Sequence, residues 1–233
     1  MPALAEDGMQ YSDYVLDFLT APRLTSLTAC GAVEAPPLPP SCESVIRIKQ
    51  AVAGLRYEKD NERILVLTFI SHLRTSISEY NQGRQFLQAY VDALPTRHLL
   101  DAHREALAHF ENSILQLHVA LISLAALGGG TKVGKAKLGR TQLYVCGDNS
   151  EYDRVRRLAN SIKHFDEAVA GAAKRNTAVP IAPLWITNDG LECLKENGKL
   201  SFSEMTAIFE SQARDAEDFS GIMAQTPNNA SRR

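Results

Sequence analysis

Apolar residues recur at intervals of three and four across residues 62–127, broken once at Leu94–Pro95–Thr96. Leu65, Phe69, Leu73, Ile77, Tyr80, Leu87 and Val91 trace one stripe. Leu99, Leu100, Leu107, Phe110, Ile114, Leu117, Leu121 and Leu124 trace the next. A period near 3.6 puts each set on one side of an α-helix. Pro95 ends the first helix, because the residue before a proline is pushed out of the α region. Thr96 then caps the second. Gly83 is expected to interrupt the first helix, and Gly128–Gly129–Gly130 stop the second. Two long helices joined by so short a turn should pack antiparallel.

Shorter elements flank this pair. Tyr14, Val15, Phe18 and Leu19 predict an amphipathic helix over residues 9–20. The prolines at 36, 37, 39 and 40 make residues 33–41 an extended connector, or a ligand for a polyproline-reading domain. Val45, Ile46, Ile48, Ala51, Val52 and Leu55 form another helical face. Residues 128–149 are rich in glycine and basic side chains and end in a short expected strand, Gln142 to Cys146. Asp148, Asn149 or Ser150 caps a helix from about Glu151 to Ala173. Pro180 and Pro183 keep residues 179–187 extended, and Thr187–Asn188–Asp189–Gly190 reads as a turn. Ser201 or Ser203 caps a last helix to about Ile222; if the cap is Ser201, Glu204 sits at N3. The fold expected is all-α, an antiparallel helical bundle with long central helices, a basic Gly-rich loop and a short extended Pro-containing segment. Residues 1–41 form an N-terminal helix and linker, 42–223 the helical domain, and 224–233 a disordered tail.

Composition narrows the function classes. Formal net charge is −2, which excludes a whole-protein attraction to nucleic acid or anionic lipid and leaves room only for a local basic patch. Cys30, Cys42, Cys146 and Cys193 are widely separated and form no CxxC pair, so reduced thiols are expected. The N-terminus has no basic region followed by an apolar run. The most apolar stretch, Ile114 to Leu127, carries Gln116, His118 and Ser123 and falls short of the ~20 apolar residues of a membrane span. A soluble, cytoplasmic protein is expected, with no membrane association and no cofactor.

Three clusters of residues invite a chemical reading. Gly129, Gly134 and Lys135 have P-loop spacing. A P-loop follows a strand and needs a hydroxyl after the lysine; here a helix precedes and Ala136 follows, so a mobile loop is the better reading. Lys132, Lys135, Lys137 and Arg140 can still touch phosphates as a basic strip. In the second cluster, His98, His103, His109 and His118 share one expected helix with Asp101 and Glu105. Asp101, Glu105 and His109 lie at successive i+4 steps, a spacing that permits metal ligation, but such stripes are common on solvated faces; no metal is expected. His118, inside the apolar stretch, reads as a core histidine or one at a helix–helix seam.

The third cluster is YDRVRRLANSIKHFDE, residues 152–167. Arg157, Asn160 and His164 fall at i, i+3 and i+7, flanked by Arg156 and Lys163. Histidine moves protons near neutral pH and arginine holds phosphate bidentately. Together they suit metal-independent RNA cleavage, in which the 2′-hydroxyl attacks its own phosphate. Read structurally, the same residues make a solvated face, or else Asn160 and His164 cap the 179–187 segment. Trp185 reads either as a peptide or base contact or as an anchor for that segment.

The segment resembles the last helix of HEPN-domain proteins, all-helical proteins of bacterial toxins, antiphage effectors and RNA processing. Their hallmark is an arginine, four to six residues, then a histidine. Asn160 and His164 match the Asn-x-x-x-His half, and Arg157 stands at the outer edge of the spacing. Ala159 occupies the position directly before Asn160, where the family usually has arginine. The stretch 179–191 also resembles uncharacterised bacterial proteins with an Asn-x-x-Lys-His helix. The resemblance implies Arg157, Asn160 and His164 as catalytic residues, Arg156 and Lys163 as phosphate contacts, RNA as substrate and a homodimer with a shared site. The alternative is a non-catalytic helical adaptor with a protein partner.

Overall fold

The computed structural model describes residues 35–42, 45, 60–93, 100–127, 147–177, 182–193 and 198–224. The helix expected at 9–20, nearly all of the one at 44–55, the Leu94–Pro95–Thr96 junction, the strand expected at 142–146 and residues 225–233 lie outside them.

The described chain is mostly helical and carries a small sheet. Its elements are α1 (Asp60–Ala93), α2 (Leu100–Leu127), α3 (Glu151–Lys163), α4 (Phe165–Arg175), β1 (Leu184–Ile186), β2 (Gly190–Cys193), β3 (Lys199–Ser201) and α5 (Phe202–Ala224). α1 has 34 residues and α2 has 28. At 1.5 Å per residue they are roughly 50 and 40 Å long.

α1 and α2 lie antiparallel, as their polar seam demonstrates. His72 Nδ1 lies 2.5 Å from Gln116 Oε1. Ser76 donates its hydroxyl to the Ser113 carbonyl at 2.6 Å, and Ser113 donates to the Ser76 carbonyl at 2.9 Å. His109 Nδ1 lies 2.7 Å from Glu79 Oε2. Partner numbers on α2 fall as those on α1 rise. Both serines are fully buried, so each hydroxyl needs the partner it has found.

Gly83 does not interrupt α1, which is continuous through it. Its function is steric. A Cβ there would sit 3.0 Å from the Phe110 ring and 3.2 Å from the Ala106 carbonyl oxygen. The missing side chain lets α2 come close at this point.

The core centres on Tyr80. Its ring lies 5.8 Å from Phe110, 6.4 Å from Phe202 and 5.5 Å from Phe209, centroid to centroid, so α5 is clamped onto the α1–α2 pair. The tilted and edge-on geometries are those aromatic quadrupoles prefer. The Tyr80 hydroxyl donates to the Pro36 carbonyl at 3.0 Å, and Ala35 and Cys42 are buried. The proline stretch expected to be a plain connector therefore lies against the core from Ala35 onward.

The sheet is antiparallel in the order β1-β2-β3 and was not expected. Its strands have three, four and three residues, too few for a period of two to stand out in sequence. Leu184, Ile186, Leu191, Cys193 and Leu200 face the core. Alternation turns Trp185 the other way, half-exposed and opposite Glu192. Leu184 and Ile186, rather than Trp185, hold this strand to the core. The expected turn is present, with the Thr187 amide bonded to the Gly190 carbonyl at 2.8 Å. Ser201 caps α5, and Glu204 completes a capping box: the Glu204 amide donates to Ser201 Oγ at 3.2 Å and the Ser201 amide to Glu204 Oε2 at 2.9 Å. Asp101–Leu127 is long and apolar enough to cross a membrane by length and composition. In this fold Phe110, Ile114, Leu117 and Leu121 along it are fully buried among the other elements.

Gly83→Ala should cost about 1–3 kcal/mol in urea unfolding through overpacking against Phe110. Alanine is the better helix former by about 1 kcal/mol, so a net gain would show that Phe110 moves aside freely.

Candidate functional site

The start of α3 is built by the run Gly147–Asp148–Asn149–Ser150. Gly147 has φ +91° and Asn149 φ +60°, conformations that glycine and asparagine tolerate best. They turn the chain so that Ser150 Oγ accepts the Asp153 amide at 3.3 Å, making Ser150 the cap. Asp153 stands at N3, where the helix dipole favours an anion.

The Asp153 side chain is fully buried. Both of its oxygens are used. Oδ1 accepts the Gly147 amide at 3.0 Å and Arg156 Nε and Nη2 at 2.9 and 2.7 Å. Oδ2 accepts Arg157 Nε at 2.9 Å, with Nη2 at 2.8 Å. Burial alone would raise this carboxyl, but the Gly147 amide and the two guanidiniums outweigh it and hold the group below its usual range. One carboxylate thus orients two arginines, each about a fifth exposed.

His118 of α2 lies buried at the seam with α3. Burial first, then the charges of Lys163 and Arg156, push its pKa down to about 4. The ring is therefore neutral at pH 7. Glu111, one face-repeat earlier on α2, is pushed up to about 7 by burial.

The helix expected to run unbroken from Glu151 to Ala173 bends at His164, which has φ −110° and ψ 23°. The His164 amide still reaches the Asn160 carbonyl at 3.0 Å, and the Ala168 amide reaches His164 at 3.1 Å, so the bend is a kink within the ladder. Val155, Leu158 and Ala159 tie α3 to the core, whereas α4 buries only Ala172, so beyond Lys163 the chain no longer has a core to follow. The His164 side chain is 54% exposed, with Nδ1 3.2 Å from Glu167 Oε1. Asn160 is half-buried and Lys163 exposed.

Of the residues singled out in sequence, Arg156 and Arg157 are brought together through Asp153, and Lys163 and Arg156 act jointly on His118. Arg157 is drawn towards the start of α3, about 10 Å along the axis from His164 by the helical rise. Among the described residues, no side-chain hydrogen bond or ion pair links Arg157, Asn160 and His164 to one another. Lys132, Lys135, Lys137 and Arg140 lie outside those residues. Among the described residues, the extended segment from Ala182 is met by Ser161, whose hydroxyl donates to the Pro183 carbonyl at 3.2 Å, and not by the side chains of Asn160 or His164. Ala159 is fully buried, so the position where HEPN proteins usually carry arginine faces the core here.

The α2 histidines serve separate ends. His103 meets the Tyr90 ring edge-on at 5.2 Å, and His109 stacks on Phe86 at 5.4 Å while bonding Glu79. Among the described residues no three His, Cys, Asp or Glu side chains gather as metal ligands.

A separate polar cleft of about 370 Å³ is lined by Asn149, Arg154, Asp189, Lys199, Ser201 and Glu204. Arg154 pairs with Glu204 and donates to the Asn149 carbonyl at 2.7 Å, and Lys199 pairs with Asp189 at 2.8 Å. Its charges neutralise one another and tie the start of α3 to the start of α5. The cleft works as a brace.

No family model, curated protein or solved structure matches this chain. Its own geometry therefore has to carry the functional reading. Asp153, which organises this cluster, was not singled out in sequence; the available signal was an acid at N3 followed by arginines at i+3 and i+4.

The neutral state of His118 makes stability depend on pH. Its folded pKa, about 4, lies below the ordinary 6.5, so the folded state binds fewer protons between them. Stability should be full above pH 6.5 and fall on acidification towards pH 4, by on the order of 3 kcal/mol. Glu111 acts in the opposite direction as pH rises from its ordinary 4.5 to about 7. The difference between wild type and His118→Gln in chemical unfolding isolates the histidine. Parallel stability curves for the two proteins would contradict the assignment.

Proposed function

We propose that the protein is a HEPN-like, soluble cytoplasmic helical bundle that binds RNA through α3, as a metal-independent ribonuclease of the toxin or defence type. The observation that carries this is the buried Asp153 carboxylate holding two guanidiniums side by side at the surface. Each guanidinium gives Asp153 its Nε–Nη2 edge. The end-on edge of Arg157 is then directed at an incoming phosphate. Lys163 extends the basic face, and the exposed imidazole of His164 is accessible for proton transfer. Because Arg157 and His164 stand apart within one chain, cleavage calls for two copies that bring Arg157 of one beside His164 of the other.

A second reading, a non-catalytic helical adaptor that recognises a protein partner, draws support from Ala159. With that position buried, the usual arginine of the motif has no surface place in this fold.

Gel analysis of RNA incubated with the wild type in the presence of a chelator should show cleavage. His164→Ala should abolish it, a loss of at least about a hundredfold for a general acid–base group, while Arg157→Ala should weaken RNA binding as well. RNA retained but uncut by both wild type and His164→Ala would favour a binding role. No salt-dependent RNA binding at all would favour the adaptor.

A further inference from the structure

Two roles for Asp153 make opposite predictions. A carboxylate beside two arginines can simply neutralise them, keeping the helix soluble and selective. Alternatively, it can act as a jig that fixes where the guanidiniums point. Coulomb's law alone favours the first role, since an anion at the site repels a phosphate.

The geometry points to the second. We infer that Asp153 is the positioning residue of the phosphate-binding face, aiming the end-on edge of Arg157 at a phosphate of single-stranded RNA. This rests on the RNA-binding reading above.

Four observations support it. Asp153 is fully buried, whereas the two arginines remain about a fifth exposed, so the anion lies behind the cations rather than between them and solvent. Both carboxylate oxygens are engaged, one for each guanidinium, and the Gly147 amide fixes the carboxylate from a third side. Both contacts use the side-on Nε–Nη2 edge, which removes the rotational freedom of a long, flexible side chain. The cluster itself holds two cations against one anion, so Asp153 does not cancel both arginines. Pre-ordering lowers the entropy lost on binding, because the side chains are already held in the bound geometry.

The test is the sign of one substitution. Asp153→Asn keeps the shape, removes a negative charge and puts an amide N–H against one guanidinium. Binding of a fluorescent single-stranded RNA is measured by anisotropy over a series of salt concentrations, with thermal melting as the check on folding. Positioning predicts that Asp153→Asn binds about tenfold more weakly despite its added positive charge, with a salt slope lower by ~0.7, the value of one lost phosphate contact on a single strand. A merely neutralising or structural aspartate predicts equal or tighter binding with an equal or steeper slope, and that result overturns the inference.

Arg157→Lys serves if Asp153→Asn does not fold. It keeps the charge and loses the fork, so positioning predicts a similar loss of affinity, whereas wild-type affinity in Arg157→Lys overturns it. The wild type separates the two levels of the argument. If it shows no salt-dependent RNA binding, the RNA reading fails and the inference with it. If it binds and Asp153→Asn binds more tightly, only the role of Asp153 fails.

Discussion

Ser76 and Ser113 exchange hydroxyl-to-carbonyl hydrogen bonds in the dry centre of the α1–α2 seam. Apolar stripes on two long helices can slide past each other by a turn at small cost, because one leucine packs much like the next. Buried hydroxyls cannot, since a slip leaves them without partners at about 1–3 kcal/mol each. The seam's polar pairs therefore set the register, and Gly83 sets the approach distance by admitting Phe110. Register and distance together place Tyr80 and Phe110 where Phe202 and Phe209 of α5 can close over them. They also present the far side of α2, with His118, to α3.

Asp153 plays the corresponding part for the candidate site. Burying a carboxylate is expensive unless it is fully hydrogen-bonded and paired, and removing a partner from such a group costs about 3–5 kcal/mol. Here the demand is met locally, by two arginines within the next turn and by an amide that a left-handed glycine turns inward. Local pairing leaves the guanidiniums at the edge of solvent rather than in the core. The same arrangement that makes the charge tolerable holds the two guanidiniums in order.

Much of the helical part was legible in the sequence. The stripes from Leu65 to Val91 and from Leu107 to Leu124 mark helices because burial against a neighbour enforces the 3.6 period over many turns. Short runs holding Ser150 and Ser201 marked two helix starts, because capping is local, between a hydroxyl and an amide two or three residues on; the structure chose these two serines from the candidates. The sheet was not legible, since strands of three and four residues show no countable alternation. Gly83 was misread because helix propensity speaks of breaking, whereas the reason for the glycine lies on Phe110, distant in sequence. The docking of the proline stretch escaped for a similar reason: the acceptor is Pro36, but the donor is Tyr80.

For the site, the sequence alone determined which residue types share α3 and that Asp153 precedes two arginines at i+3 and i+4, because neighbours on one helix follow from its pitch. Tertiary structure decided which of them reach solvent. It buried Ala159 and Asp153, left His164 exposed at a kink where the core ends, and laid His118 beneath Lys163 and Arg156. Helical spacing says which side chains point the same way, but only packing against other elements says whether that way is inward. Exposure, and with it the power to meet a ligand, is a property of the whole fold.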